Sequence, residues 1–97
     1  MYNDDKTLIN WLLYSGESWT VSTLAIQKLG IEPALMLAIF SEVERATKDS
    51  EGWFYCSYEV ITELTQVSKY KQDKAIEILE AEKIITSDKR RFKFTLN

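Results

Sequence analysis

With 97 residues, 45% of them hydrophobic, the chain is long enough for one compact core and too apolar for an intrinsically disordered segment. A single cysteine, Cys56, excludes an internal disulfide, and the lack of any histidine excludes Ser-His and Cys-His catalysis and imidazole ligation of a metal. The formal charge of -3 argues against indiscriminate nucleic-acid binding, but it is unevenly spread: residues 1–65 hold four Lys/Arg against ten Asp/Glu, and residues 66–97 hold eight against five.

The first expected element is a short helix over residues 4–14, with Asp4 or Asp5 as N-cap, Leu8, Ile9, Trp11, Leu12 and Leu13 as its apolar positions, and Gly16 beyond its end. The run from Trp11 to Tyr14 also fits a strand, because its apolar residues do not separate by period. Trp19-Thr20-Val21 reads as a short strand. Ser22 then caps a short helix carrying Leu24, Ala25, Lys28 and Leu29, ended by Gly30. Pro33 suits a first helical turn, and the stretch from Ala34 to Phe40 is apolar all round, as a buried central helix requires; the pattern fades by Lys48.

Asp49-Ser50-Glu51-Gly52 is a turn, and the aromatic run Trp53-Phe54-Tyr55-Cys56 reads as a strand. Ser57 caps a helix with Tyr58, Ile61 and Leu64 at helical spacing, interrupted at Gln66-Val67. Ser68 caps the next, whose inward stripe is Ala75, Ile76, Leu79 and Gln72, ending near Glu82. Ile84-Ile85-Thr86 is a β-branched strand and Ser87-Asp88-Lys89-Arg90 a charged turn. Arg91 to Leu96 alternates strictly, sending Phe92, Phe94 and Leu96 inward.

From Pro33 onward the order is helix, short strand, helix, tight turn, helix, hairpin. The expected fold is therefore mainly α with a small β-hairpin: a winged helix-turn-helix over residues 19–97, preceded by an N-terminal extension, residues 1–18. In that fold the second helix of the pair enters the major groove and the wing reaches the phosphate backbone. The residues expected to contact DNA are Lys69, Tyr70, Lys71 and Lys74 on the helix and Lys89, Arg90, Arg91 and Lys93 on the wing, the cations neutralising phosphates.

The stretch Ser68 to Ile85, with Lys74-Ala75-Ile76 followed by Leu79-Glu80, resembles a bacterial winged-helix signature. Together with Gly52 to Tyr58, Leu29 to Leu37 and the opening Thr20-Val21-Ser22-Thr23-Leu24, it is similar to the winged-helix domains of DnaD-type primosomal proteins and of phage replisome organisers from Gram-positive hosts. The resemblance covers about residues 19–96. It implies a role in replication initiation or primosome assembly, with duplex or single-stranded DNA, replication proteins and further copies of the chain as partners. It also implies that Trp11 and Leu12 form an oligomer contact, although the same residues suit the covering of the domain's own core.

Four positions depart from the pattern. Gln66 stands where the helix-turn-helix turn often has glycine, and Lys83 where glycine usually follows the recognition helix. Asp73 and Glu77 put acids on that helix, where they repel phosphate, although a carboxylate can accept from a cytosine amino group. An interaction or oligomerisation module with little DNA affinity, or a transcriptional regulator, is the alternative. Nothing in the sequence points to an enzyme: one cysteine builds no zinc cage, the glycines form no phosphate loop, and no cofactor or metal is expected. No apolar run approaches the roughly 18 residues of a membrane span, and the acidic start is unlike a secretory leader, so a cytoplasmic location is expected.

Overall fold

A computed structural model describes Lys6, Thr7 and residues 20–95. Lys6 and Thr7 are helical. The rest of the helix expected over 4–14, with Trp11, Leu12 and Leu13, lies outside the described residues, as do Trp19 and Leu96.

Within residues 20–95 the elements are α1 (Thr23–Leu29), α2 (Ile31–Thr47), β1 (Phe54–Tyr55), α3 (Tyr58–Thr65), α4 (Lys69–Ala81), β2 (Ile85–Asp88) and β3 (Arg91–Phe94). This is a mainly helical domain with a small antiparallel sheet, in the order of a winged helix-turn-helix. Three serines set the helix starts. The hydroxyls of Ser22, Ser57 and Ser68 accept from the N–H groups of Ala25, Val60 and Lys71, at 3.1, 3.3 and 3.3 Å. Each cap satisfies one of the first-turn donors that a helix leaves without a partner.

Gly30 makes the corner between α1 and α2. Its φ of 103° suits glycine, and it serves both helices: its N–H donates to the Ile26 carbonyl and its carbonyl accepts from Ala34 N–H. Thr20 and Val21 form no strand, because the backbone passes directly into the Ser22 cap. After α2, the Asp49 carboxylate accepts from the N–H groups of Glu51 and Trp53 at 2.8 and 3.0 Å, closing the turn that leads into β1. Those bonds hold the Asp49 carboxyl below its usual pKa.

The sheet order is β1-β3-β2, with Phe54 opposite Phe92 and Ile85 opposite Phe94. Strand alternation turns Phe54, Phe92 and Ile85 onto the helices. They meet Met36, Ile39, Phe40 and Val43 of α2, Val60 and Ile61 of α3, and Ala75, Ile76 and Leu79 of α4 in one buried cluster. Phe40 lies at its centre, stacked on Phe92 with centroids 4.5 Å apart and edge-on to Phe54 at 5.5 Å. Trp53 and Phe94 are only half-buried.

The hairpin differs from the sequence reading. Ser87 and Asp88 are not in the turn; they pair with Phe92 and Arg91, so the ladder runs to the tip and only Lys89 and Arg90 connect the strands. Their φ values are 52° and 69°. Positive φ at both central residues is the type I′ geometry that matches the strands' right-handed twist.

Candidate nucleic-acid interface

The helix-turn-helix is closed by a buried amide. Gln72, on the inward stripe of α4, is fully buried. Its Nε2 donates to the Tyr58 carbonyl at 3.2 Å, the Thr62 hydroxyl at 3.0 Å and the Val67 carbonyl at 3.0 Å. One side chain thus ties the start of α3, Thr62 one turn later and the inter-helix turn to α4. The turn bends at Gln66, which is left-handed at φ 65°, its N–H donating to Thr62 at 2.8 Å.

Tyr58 and Arg90 extend that tie to the wing. Arg90 Nε donates to the Cys56 carbonyl at 3.0 Å and Nη2 to Gln72 Oε1 at 3.3 Å. The guanidinium lies 3.8 Å from the centroid of the Tyr58 ring and 5.1 Å from that of Phe92. Nη1 is buried with no hydrogen-bond acceptor among the described residues, and the two ring faces are its electrostatic environment. Burial pulls the Arg90 pKa down from its usual value, opposed by the electrostatic pull of Cys56, Tyr58 and Asp73. Tyr58 donates its hydroxyl to Asp73 at 2.6 Å, and that bond raises the Tyr58 pKa. The Lys69 ammonium lies 4.7 Å from the centroid of the same Tyr58 ring.

One ring therefore carries a cation from the start of α4 and a cation from the wing turn. Between the two elements lies a cleft of about 250 Å³ lined by Tyr58, Asp73, Ile76, Ser87, Lys89, Arg90 and Phe92. Compared with protein-family models, curated proteins and solved structures, the chain matches none.

The eight expected contact residues fall into three groups. Lys69, Tyr70, Lys71 and Lys74 are exposed on the first two turns of α4 and Lys89 is exposed at the wing tip. Arg90 is drawn into the fold, with its guanidinium committed to Cys56 and Gln72 and stacked on Tyr58. Arg91 and Lys93 sit on the outward face of β3, beside Trp53. Tyr70, Lys74, Glu77 and Ala81 share one face of α4 by helical spacing. Lys74 reaches both Tyr70, 5.5 Å from the ring centroid, and Glu77 at 3.9 Å. The exposed surface of α4 is basic over its first turns, with Lys69, Lys71 and Lys74, and acidic toward its end, where Glu77, Glu80 and the C-cap Glu82 are exposed.

Asp73 is not turned outward. It is half-buried and accepts from Tyr58, so its acid faces the cleft. Glu80 likewise turns to the wing, accepting from the Ser87 hydroxyl at 2.6 Å. In the sequence Tyr58 stands only at helical spacing with Ile61 and Leu64; its contact with Asp73, fifteen positions away, has no local signature. Trp11 and Leu12, the expected oligomer contact, lie outside the described residues. Among the described residues, no group of three or more acidic or cysteine side chains is arranged to hold a metal, and no helix is long and apolar enough to cross a membrane.

Proposed function

We propose that this chain is a DNA-binding winged-helix protein that grips duplex DNA with the N-terminal end of α4 and the tip of the wing. The observation that carries the reading is the shared Tyr58 ring, which joins Lys69 and Arg90 and so makes one surface of the basic start of α4 and the wing turn. Lys69, Lys71, Lys74 and Lys89 neutralise phosphates, and the α4 N-terminus adds its own positive dipole end. Tyr70, 70% exposed, is placed to touch a base edge or sugar. The acidic second half of α4 restricts the contact to the first two turns. A role in replication initiation or primosome assembly, as opposed to transcriptional regulation, rests on the resemblance carried by residues 19–96.

The test is a duplex titration at two salt concentrations. Each phosphate contact contributes about -0.9 to the slope of log affinity against log salt. Changing Lys69, Lys71, Lys74 and Lys89 together to Ala is expected to remove most of the affinity and flatten the slope. No duplex binding by the native chain at low salt ends this reading.

One observation favours the second reading, an interaction or oligomerisation module. Leu24 and Ile31, on α1 and the start of α2, are 57% and 64% exposed, far from α4 in the chain. Sizing of the native chain beside Trp11→Ala and Leu12→Ala distinguishes the two: a native monomer removes the oligomerisation form.

A further inference from the structure

The outward face of the sheet is chemically unlike its inward face. Register places Tyr55 opposite Arg91 and Phe54 opposite Phe92, which sets Trp53 beside Lys93. Because Phe54 and Phe92 point to the core, alternation sends Trp53, Tyr55, Arg91 and Lys93 to the other side. Tyr55 is 55% exposed. The Arg91 guanidinium lies 4.9 Å and the Lys93 ammonium 6.0 Å from the Trp53 ring centroid. The Lys93 stem runs beside Gly52, where an added Cβ would meet its Cε at 3.7 Å, so the lysine lies against the segment that leads through Trp53 into β1.

Two aromatic side chains two residues apart on a strand have Cα atoms about 7 Å apart, with room for one base on each. The charge of the face is positive but tempered. Asp88 pairs with Arg91 at 3.3 Å, the Asp49 carboxylate is committed to the turn backbone, and Lys93 makes no ion pair with a described residue.

We infer that this face is a stacking platform for single-stranded DNA, separate from the α4 surface. Trp53 and Tyr55 stack on unpaired bases, and Lys93 and Arg91 hold the backbone between them. Unpaired bases offer a ring face to such a platform, whereas a duplex offers only base edges and phosphates. The cleft-side residues Ser87 and Phe92 point to the α4 side of the hairpin and the platform to the opposite side, so duplex on α4 and a strand on the sheet do not compete for the same side chains. The inference goes beyond the duplex-binding proposal and stands on different residues.

The test is fluorescence anisotropy with a labelled oligo(dT) and, in parallel, a labelled hairpin duplex. Tyr55→Ala and Trp53→Leu are each expected to weaken oligo(dT) binding about tenfold while duplex affinity stays within about twofold. Trp53→Phe, which keeps a stacking ring, is expected to retain most of the oligo(dT) affinity. Tyr55 is exposed, so Tyr55→Ala leaves the core intact and keeps the experiment decisive even where Trp53→Leu weakens folding. Oligo(dT) affinity unchanged by Tyr55→Ala overturns the inference, as does an equal loss for both ligands. Oligo(dT) binding that depends on Tyr55 in a chain that fails to bind duplex overturns the duplex proposal alone.

Discussion

Among the described residues, four non-glycine positions adopt positive φ: Gln66, Lys83, Lys89 and Arg90. At Lys83 the reason is visible in the hydrogen bonds. Its N–H donates to the Glu80 carbonyl and the next N–H, of Ile84, reaches back to Leu79, at 3.0 and 2.9 Å. This is the Schellman ending of a helix, with lysine at the position that glycine usually takes. A left-handed lysine costs about 1–2 kcal/mol, and glycine's greater unfolded-state freedom returns about 0.4–1 kcal/mol of that. Lys83→Gly is therefore expected to stabilise the protein by roughly 0.5–1 kcal/mol, read as a rise in the urea midpoint with unchanged slope. The Thr95 hydroxyl also donates to the Lys83 carbonyl, a bond to the backbone that the substitution leaves in place.

At the scale of elements, the parts with local chemical signals were the ones readable from sequence. Ser22, Ser57 and Ser68 announce helix starts through short-range bonds, and the Arg91 to Phe94 alternation announces a strand. The wing turn was read as four residues because Lys89-Arg90 lacks the Asn-Gly signal of a type I′ turn; pairing with Arg91 and Phe92 overrode the polar character of Asp88 and Ser87. Thr20-Val21 has strand-like composition but no strand beside it among the described residues, so composition alone misled. The turn also links structure to function. Lysine at a left-handed tip position costs stability and displays a cation. Asparagine tolerates that conformation better, so Lys89→Asn is expected to raise stability by about 0.5 kcal/mol while lowering duplex affinity and reducing the magnitude of the salt slope by about 0.9. A fall in both stability and affinity would mean that Lys89 packs against the fold and does not face phosphate.

For the whole molecule, the uneven charge was legible as a basic last third, but not its division among three surfaces. That division comes from contacts between residues far apart in sequence. Arg90 reaches Cys56 across 34 positions and Gln72 across 18, and no local pattern encodes either. The Arg90 side chain ties the wing turn to the helix-turn-helix, beside the Ser87–Glu80 bond and the core packing of Ile85 and Phe92, and through their stacking Tyr58 and Arg90 act as a unit. A double-mutant cycle of Tyr58→Ala and Arg90→Ala is expected to show coupling of about 1 kcal/mol or more in urea unfolding.

The binding readout separates Arg90's role from that of Lys89: Arg90→Ala is expected to weaken duplex binding by freeing the wing, yet leave the salt slope unchanged, because the guanidinium faces the fold. Tyr58→Phe isolates the bond to Asp73. That bond raises the Tyr58 pKa, so folding favours the protonated phenol. The stabilisation is fully present below the unfolded tyrosine pKa of about 10 and is lost as pH climbs past it through the raised folded value. The native chain is therefore expected to be more stable than Tyr58→Phe near pH 7, with the gap closing above about pH 10. A gap that persists unchanged at high pH would mean that it does not come from the hydroxyl's bond to Asp73.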